Sequence, residues 1–431
     1  MKLIERLQSG DINLKKPFIY RDGKSICLED VIKQNTDHLK IIKKGDIVAI
    51  IGDFDPVSIS NLIKLIDLGA IIVPLTVDTK PLHEYYFENS HCDYILCNNE
   101  MQKINQYPKK SIFIEQLRES GNPGLILFST GTTGRPKAIL HDFSNFLERF
   151  ESKRPPLKTL NFLLFDHIGG INTLFYTIMN NGEVYVPKER SPMGIAHEIN
   201  KNKIELLPTS PSFLRMMLIE KVFDTNLLDS LKLITYGTEK MDENTLNIIT
   251  SKLNCDVRQT YGMSELGIFK VLTKSKDELW IKIVGSGIEI KIDDGVLKIK
   301  SNIKMLGYLN AESPFDEDGW YDTGDVVESE DGWIKIVGRQ KQLISTGGLK
   351  ILPSEVEHAI MSIDTVKDCK VSGKDNPILG QHIEAVVELE ESSTLSKKEI
   401  KSKLQKLLPS YAVPHRLKIG AIEYNHRYKK S

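Results

Sequence analysis

Ser129-Thr130-Gly131-Thr132-Thr133-Gly134-Arg135-Pro136-Lys137 gathers four hydroxyls, two glycines and two cations in one short stretch. Glycine lets a backbone approach a ligand closely, and hydroxyls, backbone N–H groups and a lysine are what triphosphate oxygens require. The stretch follows Gly124-Leu125-Ile126-Leu127-Phe128, an apolar run that reads as a buried strand. A phosphate loop is the chemistry these residues suit. It is not a Walker A loop: Gly134 is followed by Arg135-Pro136-Lys137, and Ala138 stands where a Ser/Thr metal ligand belongs. A Gly/Thr-rich surface turn is the plainer alternative, and the stretches downstream argue against it.

Tyr261-Gly262-Met263-Ser264-Glu265 supplies a ring that can stack on a base, a hydroxyl for phosphate and a hard carboxylate suited to Mg²⁺. A solvated turn with a structural tyrosine would look the same in isolation. In Gly319-Trp320-Tyr321-Asp322-Thr323-Gly324-Asp325, Asp325 can accept from ribose hydroxyls, the part an acidic side chain plays in dinucleotide sites; the competing reading is an Asx turn closing a hairpin. Gly338-Arg339-Gln340-Lys341 follows, then Gly347-Gly348 leading into Pro353-Ser354-Glu355, a glycine turn feeding a helix.

In this order, the four elements resemble the AMP-forming adenylating enzyme superfamily: acyl- and aryl-CoA synthetases, peptide-synthetase adenylation domains and firefly-type luciferases. The resemblance runs from about Gly45 onward and includes Gly307-Tyr308 and Leu408-Pro409-Ser410-Tyr411-Ala412-Val413-Pro414. It implies two half-reactions. A carboxylate attacks the α-phosphate of ATP, giving an acyl-adenylate and pyrophosphate; a thiol, of CoA or of a carrier-protein phosphopantetheine, then displaces AMP. It also implies roles. Ser129 to Gly134 and Lys137 form the nucleotide loop, with Thr130, Thr132, Thr133 and Lys137 over the β- and γ-phosphates. Tyr261 and Gly262 line the adenine, with Gly237-Thr238-Glu239 on the other side. Ser264 touches phosphate, Glu265 holds Mg²⁺, Asp325 holds the ribose, and Arg339 lies beside the nucleotide.

The adenylation lysine of the family falls in a pattern like Pro-x-Thr-x-x-Gly-Lys. Asn425-His426-Arg427-Tyr428-Lys429 keeps the spacing without the Pro or the Gly, which selects Lys429 and leaves Lys430 as competitor. Lys429, Glu265 and Thr130 are thus the implied catalytic residues. Lys341 holds the hinge position, where the C-terminal domain rotates between half-reactions. The implied domains are 1–338 and 341–431, with the hinge near 339–341. Ala138 and Gln342 stand where the family often has Gly and Asp, and the region ahead of the phosphate loop is short for the family.

Phe165-Asp166-His167-Ile168-Gly169-Gly170 is open to two readings. Amino-acid-activating members carry a Phe-Asp pair here, which would give Asp166 to a substrate ammonium. Acyl- and aryl-CoA ligases carry a His-Ile-Gly-Gly type sequence, which would make His167 an aromatic gate beside the carboxylate. The acid is a small molecule under either reading. The acceptor is CoA, or an acyl or peptidyl carrier protein as partner.

The elements that must position these residues read as α/β. Apolar strands at Ile47–Ile51, 69–75 and 93–97 alternate with a helix over 58–68, as βαβ units and mainly parallel sheets do. Beyond the phosphate loop the pattern predicts a helix over 143–150, a strand over 160–165 and a helix through Met179. Strands follow at 182–187, Leu206 and 231–236, with helices from Ile195, Pro211 and Glu243. From about Gly267, short alternating segments predict a small barrel-like antiparallel β region. Two helices (353–361 and 396–408) and a strand (383–389) make a small, mobile α+β C-terminal domain.

The composition limits the alternatives. The chain has 431 residues, 40% hydrophobic and 27% charged, with Lys+Arg 57 against Asp+Glu 58. A net charge of −1 lacks the basic surface that general nucleic-acid binding needs. The five cysteines match no zinc or CxxC spacing. Residues 1–7 carry charges where a signal peptide needs an apolar core, and no apolar run approaches the roughly 18 residues of a membrane span. These features predict a cytoplasmic protein with reduced thiols and no membrane contact.

Overall fold

The computed structural model describes residues 2–9, 12–21, 23–104, 111–129, 135–150, 152–376 and 379–424. Thr130 to Gly134, Lys429 and Lys430 lie outside the described residues. Among the described residues, three seven-stranded sheets and one five-stranded sheet organise the fold.

One sheet is built on parallel strands Ile71–Leu75, Ile47–Ile51 and Tyr94–Cys97, with Gly124–Phe128 parallel to the first. These are near-continuous apolar runs because helices cover the sheet. The helix Pro56–Leu68 shows how locally the sequence writes such a cover. Asp55 caps it by accepting from the Val57 and Ser58 amides at 2.9 and 3.0 Å, Pro56 opens it, and Gly69 closes it at φ 76°. Gly124–Phe128 then pairs antiparallel with Ala138–Asp142 over five residue pairs, Gly124 with Asp142 through Phe128 with Ala138. The nucleotide loop is therefore the connection of a hairpin. Ser129 N donates to the Lys137 carbonyl at 3.0 Å, and Lys137 N donates to Ser129 Oγ at 3.2 Å, closing its base. The two-residue strand Gly307–Tyr308 pairs with the outer side of this hairpin, placing Tyr308 opposite Ile139.

A second sheet runs parallel through Asp256–Gln259, Leu233–Tyr236, Leu206–Thr209, Lys158–Leu160 and Glu183–Tyr185, and ends in the hairpin Pro17–Arg21/Lys24–Cys27. Tyr236 is in register with Gln259. The turns after these two strands leave the same edge side by side, at the carboxyl ends of parallel strands, where ligands of α/β sheets bind.

The predicted strand over 160–165 is shorter than expected. The strand ends at Leu160, with Asn161 N making a last bond to the Tyr185 carbonyl at 2.8 Å; Phe162 N then donates to the Leu160 carbonyl at 2.9 Å, and His167 N to the Leu164 carbonyl at 3.2 Å. The apolar run is buried as a turn that doubles back on the next helix. A Cβ on Gly170 would lie 2.1 Å from the Leu164 carbonyl oxygen, so only glycine permits that contact. Short apolar runs do not separate strands from buried turns by periodicity.

The β region is an antiparallel sheet ordered Tyr261–Met263, Gly267–Thr273, Ile281–Val284, Trp333–Arg339, Tyr321–Glu330, Val296–Ser301, Ile288–Asp293. Its register sets Asp325 opposite Arg339. The remaining sheet joins Leu349–Ile351, Ile344–Thr346, Gly380–Leu389 and Val366–Asn376, with Arg416–Ile419 parallel to the third of these. Helices Pro353–Met361 and Lys397–Leu407 cover it around a separate core of Ile344, Val356, Ile360, Ile383, Val387, Ile400 and Leu404. Ser354 Oγ donates to the Val337 carbonyl at 2.9 Å, tying the first of these helices to the end of the strand ahead of it. Among the described residues no helix is long and apolar enough to cross a membrane.

Candidate active site

Asp325 is the centre of the β-sheet side of the site. It is 2% exposed. Its Oδ2 accepts from the Tyr261 hydroxyl at 2.7 Å, and its Oδ1 lies 2.6 Å from Arg339 Nε. Its amide donates to Thr323 Oγ1 at 3.0 Å, and that hydroxyl donates onward to the Leu297 carbonyl at 2.7 Å. Burial pushes the Asp325 carboxyl up; Arg339 and the Tyr261 hydroxyl oppose it. Burial, then the neighbouring Asp325 charge, pushes the Tyr261 phenol well above its ordinary range. Tyr261 is therefore a fixed donor whose ring, 6.3 Å from and nearly parallel to Phe269, is held rigidly.

A second cluster joins three other elements. The Tyr308 hydroxyl donates to Glu265 Oε1 at 2.6 Å, and Lys137 Nζ lies 4.6 Å from the centroid of the Tyr308 ring. Tyr308 thus links the base of the nucleotide loop to the Ser264–Glu265 turn. Burial first, then Glu265, raises the Tyr308 phenol. Tyr321 bridges the clusters: its hydroxyl interacts with Tyr308, and Glu265, Arg339 and Asp325 all act on it electrostatically. Motif residues from four separated stretches are thereby brought together.

The Gly237 turn lies where Tyr261 begins. Thr260 donates to the Tyr236 carbonyl through both its amide, at 2.7 Å, and its Oγ1, at 3.0 Å. Thr238 is left-handed at φ 72°, a costly conformation for a β-branched residue and one that clusters at functional sites. The Glu239 carboxylate turns the other way, accepting from Ser212 Oγ at 2.5 Å and Ser212 N at 3.3 Å at the start of the helix Pro211–Ile219. In this structure it serves the helix terminus.

His141, which no motif selected, is 5% exposed and pairs through Nε2 with the Ser264 carbonyl at 2.7 Å. A carbonyl only accepts, so Nε2 carries the proton. Burial holds its pKa down, to about 4, and the ring is neutral at physiological pH. It fixes the turn that presents Ser264 and Glu265. Gly262 lies in the strand leading to that turn.

Asp166 is 7% exposed, and His167 caps the helix Ile168–Met179 by accepting from the Gly169 amide through Nδ1 at 3.0 Å. Next to this cap lies a cleft lined by His141, Phe146, Arg149, Ile168, Gly267 and Lys304, among others. Arg149 also lies outside every motif stretch. Its only signal was its place between Phe146 and Phe150 on an otherwise apolar helical face, a pattern that an arginine stem often produces without function. Lys341 is exposed in a short 3-10 turn, Gln340–Gln342, two residues beyond Arg339.

Comparison with known proteins identifies this arrangement. The AMP-binding enzyme family model matches residues 37–300, and the AMP-binding enzyme C-terminal domain model matches residues 355–422. The chain belongs to the AMP-binding enzyme family. This chain is an ATP-dependent, AMP-forming ligase that activates a carboxylic acid to its acyl-adenylate, releases pyrophosphate and transfers the acyl group to a phosphopantetheine thiol. It is similar to 2-succinylbenzoate–CoA ligase of Listeria monocytogenes, 24% identical over 87% of this chain and 85% of that protein. The Bacillus subtilis ligase of that name is 25% identical over 76% and 71%. A fatty acid–[acyl-carrier-protein] ligase of Mycobacterium marinum is 27% identical over 60% and 56%. The fold matches ATP-bound MatB of Rhodopseudomonas palustris at a TM-score of 0.83 and 18% identity, covering 99% of this chain and 97% of that one. It also matches o-succinylbenzoate CoA synthetase of Bacillus subtilis in complex with its acyl-adenylate, at 0.77 and 20%, covering 99% and 96%.

Proposed function

We propose that this AMP-binding enzyme is a cytoplasmic acid–CoA ligase whose nucleotide floor is Tyr261–Asp325–Arg339 and whose metal carboxylate is Glu265. The observation that carries the reading is the Glu265–Tyr308–Lys137 contact. It sets a hard oxygen ligand beside the lysine that closes the phosphate loop.

Glu265 suits Mg²⁺. One oxygen is held by Tyr308, and Mg²⁺ in nucleotide sites takes one or two carboxylates together with substrate phosphates. Among the described residues no group of three or more His, Cys, Asp or Glu gathers as an all-protein cage. When bound, the ion would offset charge on the phosphate oxygens. The chain's own groups do the rest. Lys137 and the hydroxyls Ser129, Thr130, Thr132 and Thr133 hold the polyphosphate. Tyr261, with Gly262 and the Gly237–Glu239 turn, frames the base. Asp325 and Arg339 seat the ribose, and Ser264 meets phosphate. As the acid oxygen approaches phosphorus, the Lys429 ammonium offsets the charge that develops.

We assign residues 1–338 to the adenylating domain and 341–431 to a C-terminal domain that swivels about Lys341. Hinges absorb such rotation in a few backbone angles. Exposure of Lys341 between two separate cores supports this. Among the described residues the five cysteines form no disulfide, which supports a reducing compartment. The names of the Listeria and Bacillus relatives favour CoA as acceptor and an aromatic acid as substrate. That of the Mycobacterium marinum relative keeps a carrier protein as the competing acceptor.

ATP–pyrophosphate exchange over aryl, fatty and amino acids, followed by CoA against a carrier protein, tests the reading. Exchange with an aryl or short-chain acid and release of AMP with CoA are expected. Exchange with amino acids alone would instead assign Asp166 to a substrate ammonium and overturn the CoA-ligase reading.

A further inference from the structure

Arg149 ends the helical segment that begins at Phe143 and is partly buried. An arginine keeps its charge in any protein environment, and a charge withdrawn from water needs an anion or several hydrogen bonds. Arg149 has little of either. Its Nη1 donates to Asn172 Oδ1 over a long 3.4 Å, and its guanidinium lies 5.4 Å from the centroid of the Phe146 ring. No carboxylate among the described residues pairs with it. Burial lowers its pKa, to about 10.

The surroundings face this cation into the narrow cleft. The cleft is small, with about 20 Å³ of space for water-sized groups, and it opens to solvent at its mouth. Its one acidic lining residue, Asp142, is already engaged: Oδ1 accepts from the Ser144 amide at 2.8 Å and Oδ2 from Asn122 Nδ2 at 2.7 Å. His141 is neutral and turned to the Ser264 carbonyl. Lys304 stands exposed among the lining residues, its Nζ 4.6 Å from the Phe315 ring centroid. Gly267 gives the guanidinium its room. It sits at φ 75°, and both terminal nitrogens of Arg149 lie 3.7 Å from where its Cβ would be. Gly267 is two residues beyond Glu265, and Ile168 is one beyond His167. The cleft therefore adjoins both the phosphate-facing turn and the predicted acid gate. The far end of an acid whose carboxylate faces the α-phosphate would enter here.

We propose that Arg149 is a specificity-determining residue that binds a second carboxylate on the acid substrate, with Lys304 assisting, so that the substrate is a dianionic acid. This rests on the ligase reading above and adds the class of acid to it. A charge-assisted guanidinium–carboxylate pair supplies what the protein leaves unmade.

The test uses the whole enzyme and pyrophosphate exchange without CoA. 2-Succinylbenzoate and a short aliphatic diacid are each compared with the half-ester that masks the distal carboxylate. The diacids should exchange with a KM lower by about two orders of magnitude than the half-esters, the scale of a truncated charge pair. Arg149→Ala should raise the diacid KM by about 100-fold with kcat and the ATP KM nearly unchanged, and should erase the preference over half-esters; Arg149→Lys should restore part of it. Lys304→Ala should act in the same direction, more weakly. Equal losses with diacid and half-ester would mark Arg149 as merely structural and overturn the proposal. So would a wild-type preference for monoacids, or an Arg149→Ala defect confined to the ATP KM. Absence of exchange with any acid would overturn the ligase reading itself, a result distinct from all of these.

Discussion

The floor around Asp325 and the cleft around Arg149 lie at the two ends of the segment Tyr261–Gly267, and the protein completes them to different degrees. At the floor, a buried carboxylate already has a phenol on one oxygen and a guanidinium on the other. In the cleft, a partly buried guanidinium has one long amide contact and a ring. The difference follows from what each must recognise. ATP is common to every turnover, so its contacts can be fixed in advance, with no reorganisation during reaction. The acid distinguishes one ligase from another, and a site for its far end gains selectivity by leaving a charge for the substrate to complete.

Lys429 is proposed to act at the reacting centre, which both the floor and the cleft serve. Lys429→Ala should lower pyrophosphate exchange by on the order of 10²–10³, or about 3–4 kcal/mol, for every acid alike. Conversion of a supplied acyl-adenylate to thioester should survive, and Lys430→Ala should do little. Exchanged phenotypes would move the catalytic role to Lys430, and a loss seen only with one acid would place the lysine in recognition.

His141 holds the turn between the two ends, and acid should release it. Its folded pKa is lowered from 6.5 to about 4, so the unfolded chain binds a proton first as pH falls. This contribution to stability is full above about pH 6.5. It is lost as pH falls toward 4, and amounts to about 3 kcal/mol. Chemical unfolding of wild type and His141→Gln between about pH 4 and pH 7 checks this. The variant keeps a donor for the Ser264 carbonyl and should show a flatter acid limb; parallel limbs would remove His141 from the account.

Tyr308→Phe should cost about tenfold in Mg²⁺ requirement, because it removes the hydroxyl that orients Glu265. Glu265→Gln should cost more. Mg²⁺ titration of exchange reads both, and an unchanged requirement in both variants would detach this cluster from the metal. The smallest effect on adenylation is expected from Lys341→Pro. It fixes φ and removes an amide hydrogen, and should slow thioester formation several-fold while leaving exchange near wild type. Equal loss in both half-reactions would argue against a swivel there.

The floor could be read in the sequence because its parts are motif residues that the sheet register forces together: Asp325 opposite Arg339, and Tyr261 at the start of the same sheet. The partners were less visible. Tyr308 and Tyr321 sit inside recognised stretches, but what joins them to Glu265 is a two-residue strand on the nucleotide hairpin, too short to carry a periodicity. The cleft was not legible. His141 and Arg149 come from a strand and helix whose apolar pattern promised only core, and their partners are a backbone carbonyl and an amide far along the chain. The run from Leu160 to Phe165 misled for the same reason: hydrophobicity records burial and leaves the pairing of the backbone unspecified.

The Asp325–Arg339 pair has a consequence for anyone recombining such enzymes. The last rung of the proposed nucleotide floor is Arg339, and the proposed pivot Lys341 stands in the turn that follows, with a single residue between them. A chimera joined after Arg339 inherits the whole floor from one parent and a replaceable C-terminal domain from the other. A junction two residues earlier divides the ion pair between parents, and the exchanged domain would then bring its own hold on the nucleotide.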